Sequence, residues 1–199
     1  MTEQQRAEHN RLFEEAAAIV KDDIPLHDRA SLPKPGWWLR RKLNRALSLF
    51  DRVLQLNPEN WSAMWLVGKV HQRSADHPTA LSWFERACRI NPAQPDLARE
   101  ASLCAMDIGR TDPAILYAQN ATQIEPDSAG LHANLALAYL LAGRIDEAQS
   151  SITRSLTIDP SDKISQTLGT IAQHFATSKN SPPKTTPALE DYWRKNRPI

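Results

Sequence analysis

The phrases Leu56-Asn57-Pro58, Ile90-Asn91-Pro92, Ile124-Glu125-Pro126 and Ile158-Asp159-Pro160 recur at a step of 34 residues. An aliphatic residue, a polar residue and a proline at one fixed interval mark a single structural unit copied along the chain. Reading back from each proline gives a helix. Before Pro92 stand Ala80, Phe84, Ala87, Cys88 and Ile90, with Ser82, Glu85, Arg86 and Arg89 between them. That spacing gathers the apolar side chains on one face of an α-helix. Ala46, Phe50, Val53, Leu54 and Leu56 before Pro58 read the same way, as do Ala148, Ile152, Leu156 and Ile158 before Pro160. Proline lacks an amide hydrogen and restrains the residue before it, so each helix ends there.

Reading forwards gives a second helix. After Pro126 come Asp127 and Ser128, then Leu131, His132, Leu135, Ala136 and Tyr139 on one face. Gly143 ends that helix, and Asp146-Glu147-Ala148 opens the next with carboxylates at its electropositive end. Each unit is therefore two antiparallel helices joined by a short loop. A lone pair cannot bury its apolar face, so the units must stack.

Met64, Val67-Gly68, His71, Ala80, Phe84, Ala87 and Pro92 follow the order of large, small and aromatic residues of the tetratricopeptide repeat family. His132, Leu135-Ala136, Tyr139, Gly143, Ala148, Ile152, Ser155 and Pro160 follow it again. Between them Ala98, Ala101-Ser102, Ala105, Gly109, Ala114, Ala118, Ala121 and Pro126 hold the register with small residues throughout. Such residues let helices approach closely, and mark either tight curvature or weak packing. The chain resembles this family from Trp61 to Asp162, and in half from Trp37 to Asn60. The resemblance implies an all-α fold, a right-handed superhelix of stacked antiparallel helix pairs with a C-terminal capping helix. Its parts are an N-terminal helix with an irregular first repeat (1–60), repeats at 61–94, 95–128 and 129–162, a capping helix (163–176) and a tail (177–199).

The ends depart from the repeat. Residues 3–21 read as a helix striped with Leu12, Phe13, Ala16, Ala17, Ile19 and Val20. It either completes the first repeat or forms a separate cap. Ile24 to Gly36, with Pro25, Pro33 and Pro35, reads as an expanded loop and a secondary contact candidate. Ile164, Leu168, Ile171, Ala172 and Phe175 make the capping helix. From Thr177 the chain turns polar and proline-rich, a flexible tail ending in Tyr192, Trp193 and Arg194. This aromatic motif is either a frayed end or a short segment that docks on a partner or back onto the array.

Composition narrows the function. A net charge of +1 disfavours nucleic acid or an anionic membrane as the main partner. No apolar run reaches the length of a membrane span, and Met1 to Arg6 is polar, so the cytoplasm is the expected location. Cys88 and Cys104 read as buried small hydrophobes without a zinc site. His71 and His132 fall at core positions, no histidine pair has HExxH spacing, and no phosphate-cradling or nucleophile-elbow motif occurs. No enzyme, metal or cofactor is expected.

In the family, the first helix of each repeat lines a concave groove, and the resemblance carries those positions onto this chain. They are Ser62, Trp65, Leu66, Lys69, Gln72 and Arg73; Asp96, Arg99, Glu100, Leu103, Met106 and Asp107; and Gly130, Ala133, Asn134, Leu137, Leu140 and Leu141. Trp65, Lys69, Arg99, Leu103, Asn134, Leu137 and Leu141 are the peptide-binding candidates. Asn134 matches the groove asparagine, whose amide both donates and accepts. Arg99 either forks onto a ligand carboxylate or pairs with Asp96 and Glu100. Trp65 is either an anchor or covered by neighbouring helices. Leu103, Ile164 and Leu168 stand where chaperone adaptors grip an acidic terminus, so that ligand is not expected. The expectation is a protein-interaction module that binds a protein or peptide segment, as an adaptor or assembly factor. The alternatives are a regulatory subunit of a separate enzyme and a self-associating scaffold whose tail fills the groove, with a second copy as partner.

Overall fold

The computed structural model describes residues 1–24, 33–178 and 180–196, and every regular element among them is an α-helix. The chain divides into two compact units, Met1–Pro92 and Ala93–Ile199.

The first unit holds α1 (Glu3–Val20), α2 (Trp37–Leu56), α3 (Trp61–Arg73) and α4 (His77–Ile90). Thr2 and Gln5 close a reciprocal capping box at the start of α1. Three ion pairs give the direction of α1 against α2. Glu8 meets Arg52 at 2.7 Å, Glu15 meets Arg45 at 2.8 Å, and Asp23 meets Lys42. Ascending numbers on one helix meet descending numbers on the other, so the two are antiparallel. Exposed pairs of this kind contribute less than about 1 kcal/mol each. The core between them dominates: Leu12, Ala16 and Val20 pack with Leu43, Ala46, Phe50 and Val53, and Phe13 sets its ring edge-on to Phe50 at 6.1 Å. Residues 3–20 are thus the helical partner of α2. Of the expanded loop, residues 25–32 lie outside the described residues. Its flanks are held by Arg73, whose Nε donates to the Asp23 carbonyl at 3.2 Å and Nη1 to the Pro33 carbonyl at 2.9 Å.

The second unit holds α5 (Pro95–Asp107), α6 (Thr111–Ile124), α7 (Ala129–Leu141), α8 (Ile145–Ile158), α9 (Lys163–Thr177) and α10 (Thr186–Asn196). Helices α5/α6 and α7/α8 are pairs, while α5, α7 and α9 also touch in succession and form an inner layer. Ala98, Ala101, Ser102, Ala105, Ala114, Ala118 and Ala121 of the middle copy are buried between these helices. Two serines among the buried polar residues are satisfied internally. Ser165 donates to Ser155 at 2.7 Å, and Ser155 donates to the Ala129 carbonyl at 2.8 Å, linking three helices through hydroxyls.

The hairpins α3/α4, α5/α6 and α7/α8 turn the same way. Ala75, Gly109 and Gly143 stand 34 residues apart with φ of 60°, 74° and 76°. The amide after each donates back to a carbonyl five residues earlier, Asp76 to His71, Arg110 to Ala105 and Arg144 to Tyr139, each at 2.9 Å. That left-handed stop satisfies a helix-end carbonyl.

Candidate functional site

The inner layer of the second unit is where its candidate residues meet. Leu103 on α5 is 6% exposed and Leu141 on α7 is 1% exposed, whereas Leu137 is half-buried. Asn134, one helical turn before Leu137, is half-buried and makes no side-chain hydrogen bond among the described residues. Arg99 reaches Asp96 at 2.9 Å and Glu100 at 3.0 Å, with the Glu100 side chain almost wholly buried. Its fork is therefore engaged within α5, and a ligand carboxylate would have to compete for it.

This layer carries a helix that the sequence reading placed in a flexible tail. Residues 186–196 fold as α10, which lies against α5 and α9. The expectation of a flexible segment over residues 177–199 is corrected on this stretch, while Lys179 and residues 197–199 lie outside the described residues. Thr185 caps the helix, its Oγ1 accepting from the Ala188 amide at 3.3 Å. Leu189, Tyr192 and Trp193, at i, i+3 and i+4, share one face. Leu189 is 3% exposed, and full burial of a leucine contributes about 1.5–3 kcal/mol. Tyr192 shares a 2.9 Å hydrogen bond with His174 Nε2 and lays its ring 5.2 Å from that of Phe175. Trp193 stands edge-on to His174 at 5.7 Å. At the other end, Thr185 approaches the turn after α5, where a Cβ on Gly109 would stand 3.2 Å from its methyl group. The polar side of α10 faces out, with Asp191 paired to Arg194 at 3.2 Å. Helix α10 thus starts beside the turn after α5 and reaches His174 and Phe175 near the end of α9.

Sequence reasoning found Tyr192 and Trp193 but missed His174, Leu189 and Thr185. The available signals were the Thr-Thr-Pro start of a helix and the three-four spacing of Leu189, Tyr192 and Trp193.

In the first unit, Trp65 is half-buried, and its indole N–H is shielded from solvent and meets no acceptor among the described residues. Lys69 is 4% exposed, so an open, solvated groove lysine is not what the structure shows. Arg73, another groove position, is spent on the loop backbone.

The chemistry of the remaining candidates is quiet. His71 bonds Asp76 at 3.2 Å, and His132 Nε2 donates to the Pro126 carbonyl at 2.9 Å. Among the described residues no three histidine, cysteine or acidic side chains converge on a metal position, and no helix is long and apolar enough to cross a membrane. Burial, with the nearby Glu85 carboxylate, pushes the Cys88 thiol up to about 11 from an ordinary 9.0. A raised value favours the neutral thiol, so near pH 8 its thiolate fraction is about a hundredfold below that of an ordinary cysteine. Iodoacetamide should label Cys88 about a hundred times more slowly than glutathione, accelerating as pH approaches 11. Labelling at the glutathione rate would show that the site opens to solvent.

Two models of the tetratricopeptide repeat match the chain, over residues 40–95 and 105–168. Among curated relatives, the small glutamine-rich tetratricopeptide repeat-containing protein 2 of Mycosarcoma maydis is 26% identical over 97 residues, 49% of this chain and 28% of that protein. The DnaJ homolog subfamily C member 7 homolog of Schizosaccharomyces pombe is 30% identical over 135 residues, 60% of this chain and 28% of that protein. The chain thus spans 28% of the length of each of these two. Among solved structures, MamA superposes with a TM-score of 0.68 at 14% identity, covering 94% of this chain and 88% of that one. YrrB, described as a tetratricopeptide repeat protein with an unusual peptide-binding site, gives 0.63 at 21% identity, covering 92% and 91%. These likenesses carry the fold. With the proline phrases, the left-handed turns and the paired helices, they lead to one conclusion: the chain belongs to the tetratricopeptide repeat family, an all-α solenoid built as a protein-interaction module.

Proposed function

We propose that the inner face of α5, α7 and α9 binds an amphipathic segment of a partner protein, and that the chain works in this way as an adaptor or assembly factor without chemistry of its own. The observation that supports the reading is α10, a short helix docked against α5 and α9 by way of one leucine and two aromatic side chains. Helix-in-groove recognition uses anchors at that same spacing. Leu137 and Leu141 supply apolar lining beside Asn134, whose uncommitted amide can pair with a ligand's backbone donor and acceptor together. Arg99 adds a cation that a ligand carboxylate can share with Asp96 and Glu100. Trp65 and Lys69 belong to the first unit and are proposed there as a separate contact.

Selection of a displayed random-peptide library on the full chain tests this. Enriched peptides should carry leucine and aromatic residues three and four apart. Asn134→Ala/Leu137→Ala, checked for an unchanged circular dichroism spectrum, should weaken them at least tenfold, a loss of about 1.4 kcal/mol. Enrichment without that spacing, or affinities untouched by the double variant, would remove the inner face from the reading.

A further inference from the structure

We propose that α10 is a built-in ligand of the second unit, closing the inner face until a partner helix with the same leucine–aromatic pattern displaces it. This rests on the inner face being the binding site and adds its regulation and the chemistry of its partner. Three observations separate a displaceable ligand from a permanent part of the fold.

The first is how little of α10 is buried. The capping helix α9 buries five side chains, whereas α10 buries only Leu189 among its 11 residues. Tyr192 and Trp193 remain half-exposed, and Trp193 also lines an open cleft along α9 with Gln166, Gly169 and Thr170. A helix this short is marginal by itself in water, so its order comes from docking and is lost on release.

The second is the nature of its contacts. Tyr192 is held by His174 through a single side-chain hydrogen bond and by ring contacts to His174 and Phe175. His174 and Phe175 occupy the same register on α9 that Leu140 and Leu141 occupy on α7, 34 residues earlier. Helix α10 therefore uses positions which, in the repeat register, face a ligand. Those side chains would otherwise meet solvent or a partner.

The third is the tether. Residues 178–185 join α9 to α10, with Pro182 and Pro183 among them and Thr185 set against the Gly109 turn. A short tether gives an effective concentration of about 1 mM. A segment that binds in trans at about 50 µM would then sit in place about twenty times more often than not. An incoming ligand would see its affinity reduced by about the same factor, a closed state that a tighter partner overcomes.

The test uses a fluorescent peptide of sequence 185–196 and the full-length chain carrying Leu189→Asp/Tyr192→Ala. The variant should keep the helical signal of α1 to α9 and a cooperative urea transition, lose hydrogen-exchange protection over 186–196, and bind the peptide saturably, about tenfold or more tighter than wild type. His174→Ala added to the variant should weaken the peptide again. Equal binding to wild type and variant would overturn the closed state while leaving the inner face as a binding site. No binding to the variant would overturn α10 as a ligand, and the library selection would then judge the inner face separately. A wild-type dimer that the variant converts to monomer would overturn closure in cis in favour of exchange between copies. If the variant fails to fold, Tyr192→Ala/Trp193→Ala retains Leu189 and is measured instead; unfolding of that form too would make α10 an integral cap and end the proposal.

Discussion

Gly68→Leu should destabilise the first unit by about 1–3 kcal/mol or more, read as a lowered urea midpoint with an unchanged slope. A Cβ built on Gly68 would stand 2.6 Å from Cε1 of Phe84 and 2.9 Å from Cδ1 and Cζ. Phe84 is fully buried, so its ring has no free rotamer into which to retreat. Even Gly68→Ala should lose stability, because the helix-propensity gain of about 1 kcal/mol is offset by that overlap. Compensation provides the sharper check. Gly68→Ala combined with Phe84→Leu should cost less than the sum of the two single changes, since the smaller side chain vacates the space the new methyl needs. Additive losses would mean that the two positions do not share a contact. The register repeats the trade: position 102 is serine where 118 is alanine, and position 136 is alanine where 152 is isoleucine.

Phe50→Ala should cost about 3–5 kcal/mol, the usual range for emptying a buried phenylalanine site. Phe50 is fully buried between α1 and α2 and takes the edge-on ring of Phe13. Against a total stability of about 5–15 kcal/mol, that loss is a large fraction. The amides of α1 should lose hydrogen-exchange protection with it, because α1 is held by this core and by surface ion pairs too weak to replace it. A loss below about 1 kcal/mol, with α1 still protected, would show that residues 3–20 are secured elsewhere and are not the structural partner of α2.

The repeat itself was legible in the sequence. The prolines end helices by removing an amide and restraining the preceding residue, an effect confined to neighbouring residues. The three-four apolar spacing is equally local, and it marked out α3 to α9. The left-handed stops were half legible, since Gly109 and Gly143 advertise them. Ala75 hides one, because alanine reaches φ of 60° only when the surrounding hairpin holds it there.

The candidate site was less legible. The sequence reading set Leu137 and Asn134 on the inner layer and named Asp96 and Glu100 as partners open to Arg99, yet it had no means of choosing that pairing, nor of knowing that Lys69 is buried or that Arg73 holds the backbone at Asp23 and Pro33. Side-chain partners of long cations depend on which chains pass nearby, and no local pattern records that.

Helix α10 marks the boundary most clearly. Thr185, Pro187 and the spacing of Leu189, Tyr192 and Trp193 are compatible with a helix, but 11 residues after a polar, proline-rich stretch are equally compatible with coil. What decides between them is a surface formed by α5 and by His174 and Phe175 of α9, which lie 18 and 17 residues before Tyr192 in sequence. The sequence by itself determined the family, the repeat register and the helix pairs, because these follow from short-range sterics and periodicity. Only the tertiary structure decided that the last helix forms and that it docks against α5 and α9, because both depend on a docking surface that exists only once the array is folded.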